Sequence, residues 1–250
     1  MRHKCAWTAQ RSTMQRAIYL IGNAQFKDVI TLPLLQIVFL QPDLSQWRAA
    51  LGDALSGENP QAINSALDNF ALVLSSQNAV LALQNMGVSL QGKRGFVVGK
   101  TTRHAFVKAG GIVLGMPENA TGDCLAALIC AAKPTQPILY CKARESFRDI
   151  VGILRSEGIG ASEIVVYESV PNPQNFAPPP RDSVIIFGAP SSYKSFVARF
   201  GWQPSYRAVA IGKSTFESLD IEAQKNAQIA PKPSFQACVA LAKTLAGAGA

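Results

Sequence analysis

The 250-residue chain is 48% hydrophobic and 16% charged, a globular balance that excludes disorder, and its most apolar stretch is too short and too broken for a membrane span. A net charge of +8 favours anionic partners, yet no dense Lys/Arg run with interleaved aromatics follows the amino terminus, which argues against a nucleic-acid groove. Five cysteines, odd in number and without a Cys-x-x-Cys pair, read as free thiols in a reducing compartment; with only His3 and His104, a multi-histidine metal site is excluded.

In chain order, MRHKCAWTAQRSTMQ (1–15) is basic and acid-free and lacks an apolar core of signal-peptide length. A targeting segment, a disordered extension and a start ahead of Met14 are the alternatives; we read it as an extension. AIYLIGNAQFKDVI (17–30) begins with the first strand. ITLPLLQIVFL (30–40) reads as a buried helix running into a strand, broken by Pro33. LVLSSQNAV (72–80) is an apolar strand, a small polar turn and a helix start.

VGKTTRH (98–104) contains Gly-Lys-Thr, the closing half of a phosphate-binding loop. Such a loop needs a second Gly five residues before Gly99, and Arg94 stands there. IGKSTFE (211–217) repeats the phrase, with Arg207 at the corresponding place, so a nucleotide site is disfavoured in both. The repetition itself is the stronger signal.

At the same offset of 113, LVLSSQNAV falls on IIFGAPSSY (185–193). Pro117 and Cys124 fall on Pro231 and Cys238 at 114. Upstream, ILYCKARESFRDIV (138–151) resembles 17–30 at an offset of 121, with Phe147-Arg148-Asp149 over Phe26-Lys27-Asp28. A strand follows each: QIVFLQPD (36–43) and EIVVYESVP (163–171).

The expected fold is therefore α/β: two similar parallel-sheet domains joined by a two-stranded β linker, with a cleft between them. The first domain takes 16–36 and 172–250, the second 46–162, and 37–45 pairs with 163–171 as the linker. Pro171, Pro173 and Pro178-Pro179-Pro180 mark a stiff re-entry loop.

Ligands of open α/β sheets bind beyond the carboxyl ends of strands. The loops there are Ser75-Ser76-Gln77-Asn78, Gly99-Lys100-Thr101-Thr102, Gly188-Ala189-Pro190-Ser191-Ser192 and Gly212-Lys213-Ser214-Thr215. Small residues, hydroxyls and helix N-terminal N–H groups suit carboxylates or phosphates. Any one Ser or Thr there can equally be a helix N-cap. The Gly of each Gly-Lys turn is read as letting the turn close. His104 reads as a surface residue, and no hydrolase elbow or paired acids occur. Tyr167 is either a packing residue or a phenol able to give a proton to a leaving group.

With Leu74–Val80, Phe187–Ser192, Ala210–Thr215, Val166-Tyr167, Pro231–Ser234 and Cys238–Leu241 in this order, the chain resembles the uroporphyrinogen-III synthase family from about residue 16 to 245. The resemblance implies a cytoplasmic, monomeric lyase that needs no cofactor or metal. Its substrate would be hydroxymethylbilane, a linear tetrapyrrole polycarboxylate, closed to uroporphyrinogen III with inversion of the last ring and loss of water. It implies Tyr167 as the residue assisting departure of the hydroxyl. It implies Ser76, Asn78, Thr102, Ser191, Ser192, Gly212, Lys213, Ser214 and Thr215 as substrate-binding. A transient contact with the hydroxymethylbilane-producing enzyme belongs to the same expectation, as does the absence of nucleic-acid and membrane partners. Two positions depart from the family: Gly188-Ala189 lacks two hydroxyls, and Lys213, replacing a common Pro, is a carboxylate clamp or a solvated side chain. The alternative is a two-domain anion-binding protein without catalysis.

Overall fold

The computed structural model describes residues 16–57, 59–146 and 148–247. The extension 1–15, with His3 and Cys5, and Phe147 of the upstream correspondence lie outside the described residues. The chain divides into two compact units, residues to Gln36 with Pro171 onward, and Ile37–Val170.

Unit 1 opens with β1 (Ile18–Ile21) and β2 (Ile30–Leu32), and β3 (Leu35–Phe39) leaves it. Unit 2 continues through α1 (Leu44–Leu51), α2 (Pro60–Ala66), β4 (Ala71–Leu74), α3 (Gln77–Asn85), β5 (Arg94–Val97) and α4 (Lys100–Lys108). It is completed by β6 (Ile112–Gly115), α5 (Gly122–Ala132), β7 (Ile138–Ala143), α6 (Ile150–Ser156) and β8 (Ala161–Pro171). Unit 1 resumes with β9 (Val184–Phe187), α7 (Pro190–Phe200), β10 (Arg207–Ala210), α8 (Lys213–Glu217), α9 (Ile221–Gln224), β11 (Ala227–Ile229) and α10 (Phe235–Ala246).

Each unit is built on one sheet, in the order β11-β10-β9-β1-β2 and β3-β8-β7-β4-β5-β6. The pairings within the first, and from β8 to β6 in the second, are parallel. β3 runs antiparallel to β8: Asn172 N–H donates to Leu34 O and Leu40 N–H to Val166 O. The central strands ALVL and VIIF are buried at every residue, as parallel strands covered on both faces require. Alternate residues feed opposite layers. Val184 and Ile186 pack with α10, whereas Ile185 and Phe187 join Tyr193 and Phe196 of α7. No helix among the described residues is long and apolar enough to cross a membrane.

Three expectations change. The stretch 30–40 holds two strands and no helix: Ile30–Leu32 pairs with β1, Pro33 ends it, and the chain restarts at Leu35. Neither 37–45 nor 163–171 is only a linker, because α1 begins at Leu44 and β8 lies beside β7 as a full member of the sheet. The upstream repeat also shifts in register. Leu74 pairs with Cys141 and Phe187 with Ile21, so the strands correspond at 120 rather than 121, and Tyr140 matches Leu20 instead of Tyr19. A one-residue slip sends every side chain to the other face.

Candidate functional site

In unit 2, β4 ends at Leu74 and Ser76 caps α3, its hydroxyl accepting from Asn78 N–H at 3.1 Å. The phenol of Tyr167, which is 7% exposed, comes near enough to this hydroxyl for Ser76 to bear on its titration. Tyr167 reaches it because of an irregularity in the ladder. Lys142 pairs with Val165 but Ala143 with Tyr167, so β8 carries one extra residue there. A bulge re-aims the side chain that follows it. Ile164, Val166 and Tyr167 consequently all pack into the core that contains α3.

Burial pushes the Tyr167 phenol above its ordinary 10.0; Ser76 pulls it partly back, and nearby Tyr140 adds a smaller upward push. The phenol is thus held protonated at neutral pH, with a hydroxyl placed to steady the tyrosinate if the proton leaves.

The preceding residue, Ser75, is bonded to Tyr140 Oη at 2.9 Å. Tyr140 is 3% exposed on β7, packed on the opposite layer with Val73, Phe96 and Leu125. Ser146 Oγ lies 3.5 Å from the same phenol and donates to Arg148 O at 3.1 Å. The sequence reading missed Tyr140 and Ser146. The available signal was a Tyr inside an otherwise apolar strand, obscured by the 121-residue alignment.

The turns after β5 and β10 are near-identical: Gly99 lies at φ −169°, ψ 178° and Gly212 at φ −168°, ψ 178°. This is extended backbone open to any residue, so glycine is not what closes these turns. Gly99 is instead restricted by space, since a Cβ would stand 3.1 Å from Ala120 Cβ, while nothing crowds Gly212. Neither turn gives its helix a side-chain cap, which leaves first-turn N–H groups of α4 and α8 free to meet an anion.

Thr102 and Thr215 occupy equivalent helix positions and are 4% and 1% exposed. Their neighbours Thr101 and Ser214 are the exposed hydroxyl residues of these turns. Lys213 is exposed and lies 3.6 Å from Glu217, an i,i+4 surface pair of small energetic weight. Asn78 and Ser191 are half-buried in the first turns of α3 and α7. The hydroxyl of Ser192 is engaged: it donates to Ala189 O at 2.6 Å and accepts from Ala189 N–H at 3.2 Å, closing the helix start. His104 is exposed on α4.

The missing hydroxyls of Gly188-Ala189 have a packing cause. A Cβ on Gly188 would stand 2.5 Å from Phe235 Cζ, so the ring of α10 occupies the space a side chain needs. In the same unit Tyr193 donates to Asp220 Oδ2 at 2.5 Å. Burial and then this bond push the Tyr193 phenol up to about 12, and the bond holds Asp220 below the usual carboxylate range.

At the end of β7 and in the loop after it these cations are matched by acids: Lys142 with Glu163 at 3.1 Å, Arg144 with Glu168 at 2.5 Å, and Arg148 with Asp123 at 2.8 Å. Two hollows of unit 2, about 530 and 730 Å³, lie at the opposite ends of the strands, around Thr135–Pro137 and Gly160. They hold neither the tyrosines nor the uncapped helix starts, so chemistry rather than volume locates the site. No group of three or more potential metal ligands occurs among the described residues.

The model of the family described as uroporphyrinogen-III synthase HemD matches residues 21–240. Two solved structures share the fold. A uroporphyrinogen-III synthetase from Helicobacter pylori superposes with a TM-score of 0.70 at 24% identity, covering 92% of this chain and 99% of its own. A mutant uroporphyrinogen III synthase from Thermus thermophilus gives 0.59 at 12% identity, covering 91% and 97%. No curated protein sequence matches significantly.

Proposed function

The chain belongs to the uroporphyrinogen-III synthase family, and on that premise we propose that it converts hydroxymethylbilane to uroporphyrinogen III and water. The observation that carries the proposal is the buried phenol of Tyr167 at a strand bulge, its pKa raised by burial, on the face of the sheet that packs α3.

Tyr167 gives its proton to the departing hydroxyl of the terminal ring, which leaves as water. The pyrrole nitrogen supplies the electron pair, forming an azafulvene, while Ser76 donates to the new tyrosinate. The substituted carbon of the last ring then attacks the azafulvene carbon to form a spiro centre. Cleavage of the old bond and closure at the free carbon invert the ring, and the proton lost on rearomatisation returns to the tyrosinate. An electron-rich pyrrole needs little push to ionise, so holding a flexible chain in the reactive fold supplies much of the acceleration. The N–H groups of the uncapped α4 start and the exposed Thr101 take substrate carboxylates, and the net charge of +8 attracts the polyanion.

The test is isomer analysis. Coupled to an enzyme that forms hydroxymethylbilane, the protein should yield the type III isomer; the spontaneous type I isomer alone would overturn the proposal. Because its acid has a raised pKa, the basic limb of the kcat profile should lie above pH 10.0.

A further inference from the structure

We infer that Lys100 and Arg103 capture the polycarboxylate substrate, setting how tightly it is held and leaving the chemical step alone. The inference rests on the proposed function and adds two residues to the same site.

Helix α4 reads KTTRHAFVK and carries no acid. At about 100° per residue, Lys100, Arg103, His104, Val107 and Lys108 share one side of it, and all five are exposed. Among the described residues, no carboxylate lies within ion-pair distance of Lys100, Arg103 or Lys108. The cations at the end of β7, by contrast, already hold acids of their own. Between Lys100 and Arg103, Thr102 is 4% exposed, and no hydrogen bond engages its hydroxyl among the described residues. Side chains of a helix tilt toward its start, so this hydroxyl is left for a ligand held there.

Stability does not ask for this arrangement. The start of a helix is its positive end, where Lys and Arg work against the dipole. Lys100 is the first helical residue, and Arg103 follows within one turn. Unit 1 is an internal control. At the offset of 113, Lys213 stands for Lys100, Phe216 for Arg103 and Glu217 for His104. There the one cation is answered by an acid, Lys213 with Glu217 at 3.6 Å, and Phe216 packs against the core. The same backbone turn is neutral in one copy and carries two unanswered cations in the other. A choice that breaks a local rule without structural gain marks a functional surface.

The position suits a long substrate. Val98 N–H donates to Leu74 O at 3.2 Å, so the α4 start stands beside the α3 start, beyond the carboxyl ends of the strands. Tyr167 pairs with Ala143 at the end of β7. Its strand lies three places from β5 in the sheet, about 14 Å away. A linear tetrapyrrole bears carboxylates on every ring, so the cations hold rings remote from the one that reacts. Arg103 offers a carboxylate a planar fork and Lys100 a point charge. Such contacts serve ground and transition states alike and therefore enter KM.

Lys100→Gln and Arg103→Gln should each raise KM about three- to fivefold, with kcat within about twofold, and the double variant about tenfold or more. Lys133→Gln removes the same charge beside the hollow at the other strand ends and should leave KM within about 1.5-fold. Denaturation midpoints of the first two variants should equal or exceed wild type, because a cation leaves the positive helix end. A fall in kcat at constant KM, an equal effect of Lys133→Gln, or lower midpoints in both variants would overturn the inference.

A measurement free of turnover separates it from the proposed function. Uroporphyrin, a fluorescent octacarboxylate, should bind the double variant with a Kd about tenfold above wild type, and the gap should narrow at high salt. Equal Kd values in the two proteins refute the capture role. Should the wild-type protein give only the type I isomer, the proposed function fails, and this titration alone decides whether the α4 face takes polycarboxylates.

Discussion

At the end of β4 the chain reads Leu74-Ser75-Ser76, and at the end of β9 it reads Phe187-Gly188-Ala189; both runs lead into a helix at the same register of the neighbouring strands. In unit 2 the two side chains are hydroxyls: Ser75 is bonded to the buried Tyr140, and Ser76 caps α3. In unit 1 the Phe235 ring lies against Gly188, Ala189 offers no side-chain cap, and Ser192 reaches back to bind the Ala189 backbone instead. One copy devotes the turn to placing a phenol and the other to packing α10 on its sheet. A duplicated frame thus keeps its backbone and divides its chemistry. The turns after β5 and β10 make the converse point: they agree within one degree in φ and in ψ, and in both units offer backbone donors.

The largest break in the comparison comes from Tyr167→Phe. Loss of a positioned acid should cut kcat by on the order of 10²-fold, with the thermal midpoint nearly unchanged. An undiminished rate would return Tyr167 to the role of a packing residue. Giving unit 1 the polarity of unit 2 comes next. Gly188→Ser places a Cβ where Phe235 stands and should destabilise the protein by about 1–3 kcal/mol, read as a lower denaturation midpoint. Ser76→Ala and Ala189→Ser form an opposed pair. The first should cost about 1 kcal/mol and slow turnover; the second should add about 0.5–1 kcal/mol and leave turnover alone. Equal effects on kcat would erase the distinction between the two turns.

The smallest effect concerns the other tyrosine tie of unit 1. Tyr193 is raised from 10.0 to about 12 on folding, so its contribution is complete below pH 10.0 and lost as pH rises towards about 12. Tyr193→Phe should shrink the loss of stability across that window, measured by urea denaturation at several pH values. Asp220 has the opposite sign: its depressed pKa stabilises the fold above the ordinary carboxylate range and ceases to do so as pH falls through it.

Much of the architecture was legible because it is written locally and twice. Strand-turn-helix units with matching Gly-Lys turns and matching Pro and Cys positions (Pro117 and Pro231, Cys124 and Cys238) recur at nearly fixed offsets, and the repeated apolar runs imply covered parallel sheets. Tyr167 was named from the family resemblance and Ser76 from the turn after an apolar strand, where the structure makes it the cap of α3. The helix expected over 30–40 was not there, because an apolar run around a proline is equally compatible with two short strands, and pairing with β1 selects the strands. Tyr140 was hidden for a related reason: the loop after β1 and the loop after β7 differ by one residue, so aligning the loops misaligns the strands.

The sequence by itself determined the duplication, the repeated strand-turn-helix units, and the places where turns present donors, since periodicity and turn chemistry depend on neighbours in the chain. Only the tertiary structure decided which face each residue takes: the bulge that turns Tyr167 into the core beneath α3, the register that brings Tyr140 to Ser75, the burial of Thr102 and Thr215, and the Phe235 ring that fixes residue 188 as glycine. Those outcomes depend on how one strand or helix lies against another, and a shift of a single residue reverses them.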